Sequence, residues 1–127
     1  MRRSTRPYFM DTKHINLAEL RTLGHNDETF IRRMLQTCAE QSPGLLDGLK
    51  KATEENDTGA AAACAHRLRP TFHYLGRSDL SELLRAIEDG TFRDIDEMKT
   101  ISQRFLDGAG RALGEVSEVL RMMNASS

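Results

Sequence analysis

The sequence predicts an all-α protein: an antiparallel four-helix bundle with a short additional helix at its N-terminus. Apolar residues recur every three or four positions along most of the chain, which is the spacing of helices with one buried face. No segment alternates apolar and polar residues as a half-buried strand does. The connections between the helical segments are short, and short connections favour antiparallel neighbours. With 127 residues, the chain is long enough for one domain with its own core.

Residues 1–15 lack periodicity and are predicted to form an arm or linker, and the helical domain is predicted over residues 16–124. Two aromatic residues of the arm are candidates for contact with the bundle, Tyr8 and Phe9. The domain begins with a short helix that Asn16 can cap and Gly24 ends. Its apolar positions are Leu17, Leu20 and Leu23.

A long second helix is predicted from a cap at Asn26 or Asp27 to about Glu55. Pro43 interrupts it, but the apolar stripe resumes in phase, which favours a kinked continuous helix. Two helices with a turn at residues 42–44 are the alternative, because Pro and Gly together are strong turn signals.

The third helix is predicted to begin at a cap on Asp57 or Thr58 and to end at Gly76 in a left-handed conformation. Pro70 lies inside this helix, and the phase of the apolar positions favours a bent continuous helix over a second helix that starts at Pro70. The apolar positions that share one face are Ala61, Cys64, Leu68, Phe72 and Leu75.

A shorter fourth helix is predicted to start at Ser78 or Asp79, since Asp79 and Glu82 have the spacing of a capping box. It ends at residues 89–90, and its buried positions are Leu80, Leu83, Leu84 and Ile87. A fifth helix is predicted from Asp94 to about Met123. Its apolar residues follow the seven-residue repeat of helices that pack at a shallow angle.

A glycine-rich stretch within this last helix, residues 108–114, superficially resembles a dinucleotide-binding loop. The seven-residue repeat runs through the stretch and no strand precedes it, so that interpretation is disfavoured. The glycines are predicted instead to let a neighbouring helix approach closely, at about 1 kcal/mol each in helix propensity.

The composition excludes several classes of protein. With 18 basic and 19 acidic residues and a net charge of −1, the chain lacks the concentrated basic face of a general nucleic-acid binder. No apolar run is long enough to span a membrane, and the N-terminal arginines are not followed by the apolar segment of a signal peptide. The two cysteines, Cys38 and Cys64, occupy apolar helical positions, which indicates reduced, buried thiols and a cytoplasmic location.

His66 faces away from the apolar stripe of the third helix. At about 100° per residue, its side of the helix also carries Arg69, Pro70, His73 and Arg77. A lone helical histidine is more often an ordinary surface residue. Here, however, a guanidinium stands one turn from the imidazole, and this arrangement favours a chemical role.

The stretch from His66 to Pro70, with Gly76 beyond it, resembles the signature of histidine-containing phosphotransfer (HPt) domains. In that family the pattern is His, any residue, an apolar residue, Lys or Arg, usually Gly, then five residues and another Gly. Pro70 stands where the first glycine usually lies. The resemblance is close over the third helix and looser over roughly the last hundred residues.

The resemblance implies a phosphoryl carrier in a phosphorelay. His66 would accept a phosphoryl group from an aspartate of a receiver domain and pass it to another, and Arg69 would stabilise the phosphoryl oxygens. The partners implied are response-regulator receiver domains and a hybrid sensor histidine kinase. No ATP-binding loop is present, so the chain is expected to lack autokinase activity and any cofactor of its own, with magnesium supplied by the receiver. The docking surface would include Arg67, Pro70, His73 and Arg77.

Two rival functions remain. A metal site could use Cys64 with His66 or His66 with His73, but the first pair lies about 160° apart around the helix and the second has no carboxylate ligand beside it. No metal ligand is therefore predicted. A helical adaptor that binds receiver or kinase domains through the same face, without chemistry, stays open as the alternative.

Overall fold

The computed structural model describes residues 12–126, and over that range the chain forms five helices and no strand. They are α1 (Leu17–Leu23), α2 (Glu28–Glu54), α3 (Thr58–Tyr74), α4 (Ser78–Asp89) and α5 (Ile95–Ser126). Each of the four longer helices packs on two others: α3 on α2 and α4, and α5 on α2 and α4, while α1 contacts α3. The predicted all-α bundle with a short N-terminal helix is confirmed. The predicted contacts of Tyr8 and Phe9 lie outside the described residues.

Side-chain caps begin the first three helices. The side chain of Asn16 accepts a hydrogen bond from the backbone N–H of Glu19, that of Asp27 accepts from two backbone N–H groups of α2, and that of Asp57 accepts from Ala60. Asp27 and Asp57 are therefore the caps among the predicted alternatives. Each satisfies backbone donors that the first turn of a helix leaves without a partner.

Helix α4 begins at Ser78, one of the two predicted starts, but its cap differs from the prediction. The residue before the helix is Arg77, which makes no side-chain capping bond, so the predicted capping box of Asp79 and Glu82 is wrong. Both carboxylate oxygens of Asp79 instead accept from the Arg77 guanidinium, at 2.9 and 2.8 Å. A bidentate hydrogen-bonded ion pair is stronger than a hydrogen bond from a neutral backbone N–H, so the Asp79 carboxylate binds the guanidinium and does not cap the helix.

Both proline-containing helices are continuous. Helix α2 runs through Pro43 and α3 runs through Pro70, as the phase of their apolar residues predicted. Leu68 and Phe72, on either side of Pro70, are both fully buried. Core contacts on both sides of the proline thus hold the helix together despite the missing backbone donor.

A single core joins all five helices. At its centre, the rings of Phe72 on α3 and Phe105 on α5 meet edge to face with centroids 5.1 Å apart. The apolar repeat of α5 is buried from Met98 to Met123, as predicted. This packing fixes the buried face of α3 and therefore the direction of its opposite face.

The glycines of α5 differ in their surroundings. A Cβ added at Gly108 would lie 2.6 Å from Cδ2 of Leu80 on α4, whereas Gly110 and Gly114 have nothing within 4 Å. The predicted close approach of a neighbouring helix is confirmed at Gly108 and wrong at the other two positions.

Residues 12–15 are anchored to the bundle by one carboxylate. Glu115 on α5 accepts hydrogen bonds from the backbone N–H groups of Lys13, His14 and Ile15 at 2.7 to 3.0 Å. Burial raises the pKa of Glu115, but the three backbone bonds outweigh this effect and hold the pKa below its ordinary value. Arg77 completes the anchor by donating to the carbonyl of His14 at 2.7 Å.

Both cysteines are free thiols. Cys38 is buried, and burial raises its pKa to about 11, whereas Cys64 is only half-buried, less than predicted. Over residues 12–126, none of the helices combines the length and the apolar character needed to cross a membrane.

Candidate functional site

Helix α3 holds His66 outward. The helix buries Ala61, Ala65, Leu68 and Phe72 in the core, and the side chain of His66, on the other face, is 72% exposed. The predicted solvent-facing orientation of this ring is confirmed. Since the buried face is tightly packed, the ring stands on a rigid support.

Glu88 on α4 contacts two of the side chains predicted for the site, those of His66 and Arg69. Its Oε2 lies 2.6 Å from Nδ1 of His66, and its Oε1 accepts a hydrogen bond from an Arg69 terminal nitrogen, also at 2.6 Å. One carboxylate therefore fixes the imidazole and the guanidinium relative to each other. Sequence reasoning did not single out Glu88.

These contacts assign the tautomer of the ring. The hydrogen bond from Arg69 and then that from His66 lower the pKa of Glu88, so this carboxyl group is ionised at neutral pH. An ionised carboxylate can only accept hydrogen bonds, which means that Nδ1 of His66 carries the proton. In the neutral ring, Nε2 then has a free lone pair and is the nucleophilic atom.

An open groove begins at the ring and runs between α3 and α4. It is lined by His66, Arg69, Pro70, His73, Tyr74 and Ser81. Tyr74 is 38% exposed, and its ring contacts that of His73 edge to face. The groove places an apolar and aromatic surface directly beside a nucleophilic nitrogen and a cation.

The structure brings together four of the six residues predicted for the site: His66, Arg69, Pro70 and His73. Arg67 is exposed on α3 but does not line the groove. Arg77 also lies outside the groove lining, and its guanidinium is engaged with Asp79 and the carbonyl of His14.

Sequence reasoning missed Glu88, Tyr74 and Ser81. A signal for Glu88 was available, because His66 and Glu88 lie at nearly equal distances along the chain from the turn at Gly76. In two antiparallel helices joined by a tight turn, such residues lie at the same level.

Within residues 12–126, no group of three or more His, Cys, Asp or Glu side chains is arranged to hold a metal ion. The sulfur of Cys64 faces α2, since a Cβ added at Gly48 would lie 3.1 Å from it. The rival metal site of Cys64 with His66 therefore has no support in the geometry.

The family comparison agrees with this geometry. The family model for the Hpt domain matches residues 33–124, which is more than half of the chain and includes α3 and α4. A search of curated proteins finds no significant match, and neither does a search of solved structures. From the family match and the helical bundle that carries an outward-facing histidine, we conclude that the chain belongs to the Hpt domain family.

Proposed function

We propose that this chain is a histidine phosphotransfer module in which Nε2 of His66 accepts a phosphoryl group from a receiver-domain aspartate and passes it to a second receiver. Hpt domains serve phosphotransfer in two-component systems and are phosphocarriers rather than catalysts. The single observation that carries the assignment to this residue is the exposed ring of His66 with its Nδ1 held by Glu88 at 2.6 Å. The side chain of His66 is 72% exposed, which leaves the ring accessible to a partner.

The transfer needs a nucleophile and a stabilised charge. The lone pair of Nε2 attacks the phosphorus of the aspartyl phosphate, and the aspartate leaves as a carboxylate. Arg69 has five N–H donors, and one of its terminal nitrogens holds Glu88. The remaining donors can bind the phosphoryl oxygens and offset their negative charge during transfer.

The groove beside His66 is the proposed docking surface. Pro70, His73 and Tyr74 offer an apolar and aromatic floor, and exposed Arg67 adds positive charge at the rim. Receiver active sites contain clustered carboxylates, which positive charge at the rim would attract. We assign Arg77 to the anchoring of residues 12–15 instead, because its guanidinium donates to the carbonyl of His14 and is held by Asp79.

The partners we propose are response-regulator receiver domains and a hybrid sensor histidine kinase, with magnesium bound by the receiver. We propose no ATP-dependent activity for this chain. We place it in the cytoplasm, where unpaired thiols such as Cys38 and Cys64 stay reduced.

The test is phosphoryl transfer from a phosphorylated receiver in the presence of magnesium. The chain should acquire an acid-labile, base-stable phosphate, and His66→Gln should abolish it. His25→Gln is the matched control, because it removes an exposed imidazole that lies outside the groove and should keep the label. A label that persists in His66→Gln would refute the assignment.

The variant Arg69→Ala tests whether the cation acts in phosphoryl transfer or only stabilises the fold. The side chain is 36% exposed, so we expect slower transfer with little change in the melting temperature. Tight binding to receivers with no transfer in the unmodified chain would favour the adaptor function instead.

A further inference from the structure

We propose that a cleft between α2 and α5 binds a compact oxyanion of the phosphate or carboxylate type. The cleft has a volume of about 200 Å³, and its lining includes Lys50 and Thr53 of α2 and Lys99, Ser102 and Gln103 of α5. It shares no lining residue with the groove beside His66. The site is therefore separate from the phosphoryl-accepting surface and goes beyond the function proposed above.

Two buried hydroxyl groups form the floor of the cleft. Ser102 is 1% exposed and Thr53 is 8% exposed, and their hydroxyl oxygens lie 3.2 Å apart. Thr53 has a single hydroxyl hydrogen, which the carbonyl of Leu49 accepts at 2.8 Å. The hydrogen of Ser102 is then left for Oγ1 of Thr53, at the longer distance, or for an acceptor in the cleft. An oxyanion is the stronger acceptor, because hydrogen bonds to charged groups exceed those between neutral groups.

Two lysines supply positive charge from either side of these hydroxyl groups. Lys50 lies three residues before Thr53 on α2, and Lys99 lies three residues before Ser102 on α5, so each shares a helix face with its hydroxyl neighbour. Because α2 and α5 run antiparallel, the two lysines stand on opposite sides of the hydroxyl pair along the bundle. Each has a flexible stem that can bring its ammonium group over the floor.

The protein does not neutralise these lysines. Within residues 12–126, neither ammonium group takes part in an ion pair. Glu54 also lines the cleft but lies beyond ion-pair distance of both. Two lysines and one glutamate leave the lining with a net charge of +1. A bound anion would therefore offset the repulsion between two cations that face the same space.

The donor set and the size of the cleft select the class of ligand. Ammonium and hydroxyl groups donate hydrogen bonds, and here they surround one space, which suits an ion with several acceptor oxygens. A water-sized group occupies about 30 Å³, so the cleft has room for a phosphate or carboxylate group with a few waters. Among the lining residues of the described chain, Leu106 is the apolar one, which disfavours a large apolar ligand.

The experiment follows the backbone amide signals of the unmodified chain by nitrogen-15 NMR during titration with sodium phosphate and, separately, with sodium acetate. Sodium chloride keeps the ionic strength constant, so that the screening of surface charges does not change. We expect saturable shifts at Thr53, Ser102 and Gln103. Saturation with phosphate alone assigns the site to phosphate-type anions, saturation with acetate alone assigns it to carboxylates, and saturation with both assigns it to either class.

Variants of the two lysines test whether the shifts come from the cleft. Lys50→Gln and Lys99→Gln should each raise the Kd about threefold, and the double variant should lose saturation. Lys51→Gln is the matched control, because it removes the same charge from the next exposed position of α2, which does not line the cleft. Its Kd should stay within about twofold of that of the unmodified chain.

Ser102→Ala tests the buried donor and should raise the Kd about tenfold, with thermal unfolding as the check that the bundle is intact. If this variant unfolds, the lysine variants still decide the inference, since both lysines are exposed. His66→Gln should bind the anion with unchanged affinity, which keeps this test separate from that of the proposed function. Shifts confined to the groove beside His66, shifts that rise linearly with anion concentration, or equal affinities in the unmodified chain and the lysine double variant would each overturn the inference.

Discussion

Two glycines of α5 provide a direct test of the packing between α4 and α5. Gly108 and Gly110 lie on the same helix, two residues apart, and both can be replaced by Ala. A Cβ at Gly108 would stand 2.6 Å from Cδ2 of Leu80, whereas a Cβ at Gly110 would meet nothing within 4 Å. The same chemical change should therefore stabilise the protein at Gly110 but not at Gly108.

The magnitudes follow from two contributions. Replacing Gly by Ala inside a helix stabilises it by about 1 kcal/mol, and Gly110→Ala should show this gain in full. Gly108→Ala gains the same amount but overpacks the contact with Leu80, which costs about 1 to 3 kcal/mol. Leu80 is only 3% exposed, so its methyl group has no solvent to move into. The difference between the two variants cancels the helix propensity and equals the cost of overpacking.

Chemical denaturation at equilibrium measures the difference, and thermal melts check it. For a chain of this size, each 1 kcal/mol shifts the melting temperature by about 3 to 5 °C. Gly110→Ala should melt above the unmodified chain, and Gly108→Ala should melt at or below it. If both variants were stabilised equally, the close approach of α4 to α5 would be wrong.

Three further predictions concern stability and reactivity. Glu115→Gln should lower the free energy of unfolding by about 1 to 2 kcal/mol. Because the fold lowers the pKa of Glu115, the stabilisation by this carboxylate is present above the ordinary carboxyl pKa and is lost as the pH falls through the lowered pKa. Urea titrations of the variant and the unmodified chain should therefore converge in acid. Phe72→Ala should destabilise the bundle by about 3 to 5 kcal/mol, measured by the same titration, since it leaves Phe105 without its aromatic partner; a loss below about 1 kcal/mol would contradict the packing. Cys64 should be alkylated before Cys38, as followed by mass spectrometry, because burial raises the pKa of Cys38 to about 11 and little of it is thiolate at neutral pH.

Most of the fold could be predicted because it depends on local sequence. Asp27 and Asp57 cap helices by bonding to backbone groups two or three residues away, and such contacts are visible in the sequence itself. The continuity of α3 through Pro70 was also predictable, since Leu68 and Phe72 keep the same phase on both sides. The orientation of His66 follows from that phase alone.

The candidate-site residues that the sequence analysis missed depend on contacts between helices. Glu88 contacts His66 only because α4 folds back on α3 at a particular level, and the one sequence signal for this contact is the distance of Glu88 along the chain from the turn at Gly76. The capping box failed for a different and local reason. The guanidinium of Arg77, two residues before Asp79, competes with the backbone N–H for the Asp79 carboxylate, and the bidentate ion pair is the stronger interaction.

Gly76 links the local sequence to the contacts between α3 and α4. It adopts a left-handed conformation with φ of +72°, and a Cβ there would collide with Cβ of Asn16. The backbone N–H of Asn16 donates to the carbonyl of Leu75 at 2.7 Å, so the turn between α3 and α4 is held tightly against the start of α1. The geometry of this turn determines where α4 runs along α3 and therefore which of its residues meets His66. The glycine lies well beyond the reach of the imidazole, yet it belongs to the same site because it sets the position from which Glu88 contacts the ring.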